Sequence, residues 1–463
     1  MTPTDHPTAT GTDFSFVRAL LEYGEEYEPQ PGDTIDLDLS DITSPVDGLP
    51  AGEATVVSVD DDGALRLRAV AGGQETTVDG DTHVAITDSP AARAIVEAHA
   101  RRPTPDGVAF SDTSVPAELT ARLRRGVQRL AEMEPVDHHP GSGTRVRDLV
   151  HPSLYPYVQG TSPVVGELPD HPPPSLDRFG RPHESSRYQW LPTPFRIAAD
   201  GTTTIDGYIN NLDAARHGDL QGDLGRLFTC VLPLVESVLG YVAATRFWTE
   251  GSEVEHEGEL PRVKSLAPVP VAPRSLRGRE LQVIPKIVEY RLGAGETHEG
   301  VWHVEGMSHE HIVATCVVVL ERDACLQGGE LSFKRAYTLE EAGHLFWNID
   351  QSRPRFIENL VEEGTIPVGA VATPEGRVVV FPNSHIHRLD ALTVAAGATG
   401  GRRRVIVFWV VDPDVAIAST REVPPQQGTM SREEALAIRL ALMEERRLHK
   451  ATFNPRAVSL CEH

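Results

Sequence analysis

The stretch "GVWHVEGMSHEHIVATCVVVL", residues 300–320, combines a dense group of potential metal ligands with an apolar run typical of a buried strand. His303 and Glu305 are two residues apart at its start. Successive side chains of a strand point to opposite faces, so these two are predicted to face the same way. A histidine and a carboxylate on one face are either a structural hydrogen-bonded pair or half of a metal site. The rest of the chain has to supply the other half.

A second histidine-bearing strand follows about eighty residues later, in "VVVFPNSHIHRLDAL", residues 378–392. Two histidines and one carboxylate form the facial triad that leaves open positions on Fe(II). His387 is the predicted third ligand, and His385 is the alternative because it shares the same strand face. His309 and His311 are either polar neighbours inside the strand-rich domain that carries these motifs, or a separate His-x-His site.

A run of arginines enters the last apolar strand, "GGRRRVIVFWVV", residues 400–411. An oxygenase that uses 2-oxoglutarate needs a buried cation for the far carboxylate of that cosubstrate, and arginine suits this bidentate role. Strand alternation places Arg403 on the face of Val405, Val407 and Trp409, with Arg402 and Arg404 on the other face.

The order His-x-carboxylate, "GGELSF", "VVFP…H" and Gly-x-Arg…Trp resembles the Fe(II)/2-oxoglutarate-dependent dioxygenases, especially their prolyl-hydroxylase-like branch. In that branch Gly-x-Arg lies six residues before a strand Trp, a spacing that Gly401, Arg403 and Trp409 match. A closer resemblance is to a cupin-related family of fungal and bacterial proteins known only as a domain of unknown function. It rests on "DLVHPSLY", "YQWLP", "YINNL", "WHVEGM" and "EHIVAT", and it covers roughly residues 130–460.

The resemblance implies that His303, Glu305 and His387 are the iron ligands and that Arg403 anchors 2-oxoglutarate. Three features depart from the family patterns. Glu305 stands where most such oxygenases have Asp, and Arg403 follows His387 by sixteen residues, where about ten is usual. His309 stands where the closer family usually has Asn.

The composition limits the class of protein. The chain has 463 residues with 40% hydrophobic and 24% charged residues, as in soluble globular proteins of more than one structural unit. A net charge of -24 argues against a nucleic-acid or membrane binder. Its four cysteines form no CxxC pair, and the N-terminus shows no signal pattern, so we expect a cytoplasmic protein.

The N-terminal part is predicted to be separate from the part that carries the motifs. Residues 1–12 are polar and are expected to be a disordered tail. Residues 13–100 form a small β-rich module, because four segments between 30 and 88 alternate apolar and polar residues around turns such as Asp62-Gly63 and Gly72-Gly73. We find no catalytic group in this module.

Residues 101–463 are expected to form a helix-wrapped oxygenase domain. A helix over 115–133 is predicted to begin after a Ser114 cap, and a buried helix over 224–242 to kink at Pro233. A capping box from Ser431 to Glu434 opens a helix to about residue 449. Asn210 and Asn211 either contact substrate or cap a turn.

The predicted fold class is α+β: a double-stranded β-helix, or cupin-type jelly roll, with flanking helices and the N-terminal module. The predicted function is Fe(II)- and 2-oxoglutarate-dependent oxygenation of a small-molecule or amino-acid-like substrate by O2, releasing succinate and CO2. One alternative is a cupin-type metalloenzyme that does not use 2-oxoglutarate. The other is a non-catalytic binding protein on the same fold.

Overall fold

A computed structural model describes residues 29–37, 52–79, 84–90, 105, 107–170, 187–242, 271–336 and 365–453. The chain divides into two compact units. The smaller comprises Met1–Pro103, Arg246–Pro268 and Lys334–Gly369, and the larger comprises Thr104–Thr245, Val269–Phe333 and Ala370–His463. The predicted tail, residues 1–12, lies outside the described residues, and the predicted boundary at residue 100 stays a prediction.

The smaller unit contains a five-stranded antiparallel sheet in the order β4-β3-β2-β1-β5. Its strands are β1 (Thr34–Asp36), β2 (Glu53–Val59), β3 (Leu65–Ala69), β4 (Glu75–Val78) and β5 (Ala85–Asp88). In β3, burial alternates residue by residue, as the sequence pattern predicts. The turn before β3 is closed by Asp60, whose carboxylate accepts the amides of Asp62 and Ala64. The sequence pattern missed β4, where two threonines interrupt the apolar alternation.

Sixteen strands follow among the described residues. They are β6 (Ala109–Ser111), β7 (Val146–Val150), β8 (Tyr157–Val158), β9 (Tyr188–Gln189), β10 (Thr193–Ile197), β11 (Thr203–Ile205), β12 (Glu280–Gly293), β13 (Thr297–His298), β14 (Ile312–Arg322), β15 (Leu326–Gly328), β16 (Leu331–Ala336), β17 (Thr365–Val371), β18 (Val378–Pro382), β19 (His385–Leu389), β20 (Leu392–Val394) and β21 (Gly400–Val411). The helices are α1 (Ala117–Met133), α2 (Ala214–Val242) and α3 (Arg432–Phe453), with short 3₁₀ helices at Ser308–Glu310 and Gln426–Gly428.

A large antiparallel sheet forms the centre of the larger unit, in the order β11-β10-β12-β21-β14-β18-β6, with β7 also pairing with β12. Smaller sheets run β13-β20-β15 and β17-β16-β19, and β8 pairs with β9. The longest ladder joins β12 to β21, from Val283↔Val410 to Gly293↔Gly400. The described residues therefore combine α-helices with β-strands, and their sheets are mostly antiparallel.

The two faces of the large sheet have different surroundings: one packs against helices and the other lines a cavity. On one face, Phe408 packs edge to face against Phe228 of α2, at 5.4 Å between ring centroids, in a continuous apolar core. Helix α1 joins that core through Leu119, Leu123 and Val127, whose four-residue spacing puts them on one helical stripe. The opposite face carries the alternate residues of β12 and β21 and lines a cavity, described below.

Two local expectations about the helices are wrong. The residue that precedes α1 is Pro116 and no side chain caps it, so Ser114 is not the cap. Helix α2 begins at Ala214, ten residues before the predicted start, and its non-helical dihedrals fall at His217 rather than near Pro233. By length and composition α2 could cross a membrane, and in this structure residues along its length, such as Leu224, Phe228 and Val235, are buried in the core. The Ser431 cap is confirmed by its bond from the Glu434 amide, at 3.1 Å.

Candidate metal centre and its cavity

His303, Glu305 and His387 come together in the larger unit, with potential ligand atoms within 4.8 Å of one another and all three side chains buried. The Nε2 atoms of His303 and His387 lie 3.6 and 3.4 Å from Oε1 of Glu305. Two atoms bound about 2.1 Å from one ion lie roughly 3.0–3.4 Å apart at ordinary ligand angles. The spacing therefore suits three ligands around a common metal ion.

Backbone pairing brings the two histidines side by side. His303 and His387 form an isolated antiparallel bridge, with N–O distances of 3.0 and 2.9 Å between their main chains. His387 is in β19, whereas His303 and Glu305 lie in the irregular connection between β13 and β14. The expectation that His303 and Glu305 lie on a strand is thus wrong. Directly after Glu305 the chain turns at Gly306, whose φ of +67° favours glycine.

Asn383 fixes the backbone of Glu305 from the end of β18. Its Oδ1 accepts the Glu305 amide at 2.9 Å, and its Nδ2 donates to the carbonyls of Glu305 and Ile312 at 2.9 and 3.0 Å. A side-chain amide used at both ends in this way replaces a strand ladder that the irregular connection lacks. Asn383 is therefore a positioning residue for the carboxylate.

The tautomers of both histidines follow from their partners. Nδ1 of His303 lies 2.7 Å from the carbonyl oxygen of Val301, and Nδ1 of His387 lies 3.3 Å from that of His385. A carbonyl can only accept, so each Nδ1 carries a proton, and Nε2 is the atom of each ring that faces Glu305 and can ligate a metal ion. A ligating histidine held through its other nitrogen is the usual arrangement around protein-bound metals.

The charge state of Glu305 also fits a cation. Burial alone would raise its pKa, but hydrogen bonds and positive charge from His303 and His387 outweigh burial and hold the pKa of Glu305 well below its usual range. The carboxylate is therefore ionised at neutral pH, and two imidazoles with one carboxylate suit a divalent transition metal.

The cluster opens into a cavity of about 160 Å³. Its walls include Arg403, Tyr290, Val288, Val405 and Val407 from the inner face of β12 and β21. The volume is smaller than the roughly 300–1,000 Å³ of drug-sized ligand sites, so a small metabolite suits it better.

The three arginines of β21 differ in their surroundings. Arg403 is 2% exposed and lies on the cavity wall, with its guanidinium carbon 5.7 Å from the centre of the Tyr290 ring. Arg404 points to the other face, where it donates to Glu289 at 2.6 Å and to Glu321 at 3.0 Å. Of Arg403 and Arg404, Arg403 is therefore the one that lines the same cavity as the metal cluster.

The other predicted candidates lie elsewhere. His385 packs edge to face on Tyr241, and its side chain is not part of the cluster. His309 contacts the Tyr188 carbonyl through Nε2, and His311 takes a left-handed turn. No metal group among the described residues includes either of these two.

Asn210 and Asn211 close a loop. The Nδ2 atom of Asn210 donates to the carbonyls of Leu154 and Tyr155, and that of Asn211 to the carbonyl of His151. These bonds tie the turn to a segment 55–60 residues earlier in the chain, so the choice between substrate contact and turn capping stays a prediction. Cys316 is fully buried in the core, where burial raises the pKa of its thiol, so it is a packing residue.

The sequence reasoning missed several residues of the site. Tyr290 and His139 line the cavity, and Lys286 is buried on the same face of β12. Alternation within β12 could have placed Tyr290 and Lys286 on one face, but the pairing of Tyr290 with Arg403 that brings this face to the cavity could not be read from the sequence. His139 could not be found, because its place depends on a turn that folds back on β7.

Comparison with protein families matches residues 90–434 to the family described as protein of unknown function DUF4246. No curated protein matches the chain. Solved structures with some likeness include a 2OG-Fe(II) oxygenase-family oxidoreductase from Burkholderia pseudomallei, at 12% identity and TM-score 0.27, covering 68% of this chain and 88% of that one. The Fe(II)/α-ketoglutarate-dependent dioxygenase TqaL has 8% identity and TM-score 0.32, covering 71% and 88%. A Trichoplax adhaerens prolyl hydroxylase has 9% identity and TM-score 0.27, covering 71% and 96%.

These TM-scores are too low for the solved structures to carry an argument about this chain. The family match is different in kind, because it spans about three quarters of the 463 residues and includes the whole cluster and Arg403. The chain belongs to the DUF4246 family.

Proposed function

We propose that this protein is an Fe(II)- and 2-oxoglutarate-dependent oxygenase of a small-molecule substrate. One observation carries the proposal: a buried two-histidine, one-carboxylate cluster and a buried arginine line the same cavity. The first group is the ligand set of non-haem Fe(II) oxygenases. The second is the cation that a dicarboxylic cosubstrate requires.

Each residue has a defined role in this proposal. His303, Glu305 and His387 hold the iron, and Arg403 binds the far carboxylate of 2-oxoglutarate with Tyr290 beside it. Fe(II), 2-oxoglutarate and O2 together supply the oxidising chemistry, which yields succinate, CO2 and an oxidised substrate. Val288, Val405 and Val407 form an apolar wall that keeps water away from the reacting centre.

A double-stranded β-helix is the core we propose for the larger unit. The long antiparallel ladders of β12, β21, β14 and β18 supply one sheet, and the short sheets around β16, β19 and β20 supply segments of a second. The bridge between His303 and His387, whose side chains line the cavity beside the long ladders, supports this proposal.

The proposal is tested by measuring metal binding and succinate formation separately. Wild-type protein should bind one Fe(II) under anaerobic conditions and convert 2-oxoglutarate to succinate only when Fe(II) and O2 are present. His387→Ala should lose at least 100-fold in iron affinity, a loss at the upper end of effects on metal ligation. His385→Ala is the matched control, since it lies two residues away outside the cluster, and should keep the iron.

Two outcomes would contradict the proposal in different ways. Iron binding without any succinate, across amino acids, peptides and other small molecules, would favour a metalloenzyme that does not use 2-oxoglutarate. Equal iron affinity in wild type and His387→Ala would remove the metal site and favour a non-catalytic binding protein.

A further inference from the structure

Among the described residues, two arginines line the cavity beside the metal cluster. Arg403 comes from β21, and Arg145 lies directly before β7, at the end of a tight turn. The side chain of Arg145 is half-buried. The proposed function assigns Arg403 to 2-oxoglutarate and gives Arg145 no role.

The turn that carries Arg145 is held closely by its own hydrogen bonds. The His139 amide donates to the Val146 carbonyl at 3.0 Å, and the amide and hydroxyl of Ser142 donate to the His139 carbonyl at 3.1 and 2.7 Å. Thr144 has a φ of +74°, an outlier for a β-branched residue that persists only where the surroundings enforce it. The turn therefore presents Arg145 from a defined position.

Backbone carbonyls orient the guanidinium of Arg145. Its Nε donates to the Ser142 carbonyl at 3.1 Å, and its Nη1 donates to the Thr297 carbonyl of β13 at 2.9 Å. In the described part of the chain no carboxylate pairs with this guanidinium, and its Nη2 has no acceptor. Arg291, whose amide donates to the Arg145 carbonyl at 2.8 Å, instead pairs with Glu289. Arg145 is thus fixed in place while its charge stays available to another molecule.

The charges around the cavity favour a bound anion. When Fe(II) and 2-oxoglutarate are bound as proposed, the metal ion and Arg403 together balance Glu305 and the two carboxylates of 2-oxoglutarate. Glu299, which also lines the cavity, forms an ion pair with Arg388 at 3.0 Å. Among the described residues, no carboxylate is then left to balance Arg145. A fixed cation on the wall of a cleft attracts an anionic ligand.

We propose that Arg145 is a substrate-binding residue that holds an anionic group of the substrate, and that the substrates are therefore small organic acids. This inference rests on the proposed function, because the cavity beside the cluster is taken to be the substrate chamber and Arg403 to be occupied by 2-oxoglutarate. A planar guanidinium matches the oxygens of a carboxylate or a phosphate. The cavity volume of about 160 Å³ limits the acid to a few carbon atoms.

The test measures binding and needs no turnover. Full-length protein is loaded with Zn(II) and saturating 2-oxoglutarate, and ligand-observed NMR titration follows the binding of propionate and pentanoate. Propionamide and pentanamide are the matched neutral probes. We expect each carboxylate to bind about 10- to 100-fold more tightly than its amide, the effect of a hydrogen bond to a charged group. Methyl phosphate, titrated alongside, shows whether the site prefers a phosphate ester to a carboxylic acid.

Three variants locate the anion site. Arg145→Gln should bind the carboxylate and the amide of each pair equally, with unchanged affinities for Zn(II) and 2-oxoglutarate. Arg145→Lys keeps the charge but loses the planar donors, so it should retain part of the preference. Arg291→Gln is the matched control, because it removes an arginine from the other face of β12, and it should keep the full preference. A merely loosened turn would weaken both members of a pair equally.

Wild-type protein that binds no anionic probe better than the amides would overturn the proposal, and this result needs no variant. The proposal also fails if Arg145→Gln keeps the preference, or weakens carboxylate and amide to the same extent. A preference that is lost in Arg403→Gln but kept in Arg145→Gln, measured without 2-oxoglutarate, would place the anion at Arg403. If wild type does not bind 2-oxoglutarate but shows a carboxylate preference that Arg145→Gln lacks, the proposed function fails and the anion site stands.

Discussion

At the scale of single residues, two buried groups of two histidines and one carboxylate, His303–Glu305–His387 and His139–Asp148–His151, differ in the backbone atoms behind their rings. His303 and His387 each back onto a carbonyl, whereas His151 backs onto an amide. The backbone group that bonds Nδ1 thus decides whether Nε2 of a neutral imidazole offers a lone pair or a proton. Lists of metal-ligating residue types cannot separate the two cases, and the backbone at Val301, His385 and Ser153 can.

The neighbouring arginines of β21 give the sharpest residue-scale prediction. Arg403→Gln removes the charge from the cavity wall and should weaken 2-oxoglutarate binding by about 2–5 kcal/mol, as loss of one partner of a buried charged pair does. Iron affinity should change little, because Arg403 is not in the cluster. Anaerobic calorimetry with 2-oxoglutarate measures the first effect, and Fe(II) titration measures the second.

Arg404→Gln is the matched control. Glu289 is fully buried and would keep only its contact with Arg291, so this variant should lose about 3 kcal/mol of folding free energy while still binding 2-oxoglutarate. If Arg404→Gln lost 2-oxoglutarate binding and Arg403→Gln kept it, Arg404 would be the anchor, and the assignment of Arg403 to the cavity side of β21 would be wrong.

At the scale of elements, helix α3 is tied to the segment that carries the metal cluster. Arg446 of α3 donates to the fully buried Glu310 at 2.6 Å, and its guanidinium carbon lies 4.1 Å from the centre of the Trp190 ring. Glu310 also accepts the amides of Trp190 and Met307 at 2.6 and 2.7 Å. The Glu310 carboxylate therefore holds the turn that follows Glu305, and Arg446 of α3 balances its charge.

Breaking this link should loosen the cluster as well as the fold. Arg446→Met leaves Glu310 buried without its cation, and we expect a loss of about 3–5 kcal/mol of folding free energy. Fe(II) affinity should fall with it, since Glu310 lies only five residues from Glu305. Denaturant unfolding and Fe(II) titration measure the two effects.

The double variant Glu310→Gln with Arg446→Met separates charge from packing. It should be less destabilised than the sum of the single variants, because the uncompensated charge is gone. Additive losses would mean that the pair acts only through packing on Trp190, and unchanged iron affinity in every variant would show that α3 does not support the cluster.

The strands were predictable from the sequence to the extent that local pattern determines them. Alternation located β2 and β3, and it separated Arg403 from Arg402 and Arg404 on β21. The choice of Arg403 as the inward residue rested on the Gly-x-Arg…Trp resemblance, and Arg403 does line the cavity. The Gly328-Gly329 turn into β16 was also predictable, since both glycines have positive φ. These features depend on a few neighbouring residues.

Features that depend on distant pairing were not predictable from pattern. His303 and Glu305 converge through a bridge to His387 and a clamp from Asn383, not through the strand that the spacing suggested. The place of His139 depends on β7 joining β12 across more than 130 residues of chain. The non-helical backbone of α2 lies at His217, while Pro233 lies within a regular stretch.

At the scale of the whole molecule, the candidate site belongs to one of the two compact units. The His303–Glu305–His387 cluster, Arg403 and the cavity residues all lie in the unit that comprises Thr104–Thr245, Val269–Phe333 and Ala370–His463. The five-stranded sheet belongs to the other unit and supplies no cavity residue among those described. The family match begins at residue 90, after that sheet. We therefore propose that the N-terminal sheet has a role other than binding iron or 2-oxoglutarate.

Removing residues 1–103 tests this division. A chain that begins at Thr104 should bind one Fe(II) and 2-oxoglutarate with affinities within a few-fold of the full-length protein, because every residue assigned to either ligand is retained. Circular dichroism establishes that the shortened chain is folded, and anaerobic titration gives the affinities. A protease site inserted near residue 100 of the full chain provides an independent version, since the protein then folds intact before it is cut. If either form is folded but binds neither Fe(II) nor 2-oxoglutarate, the N-terminal residues complete the site. Full-length His387→Ala supplies the baseline for lost iron binding.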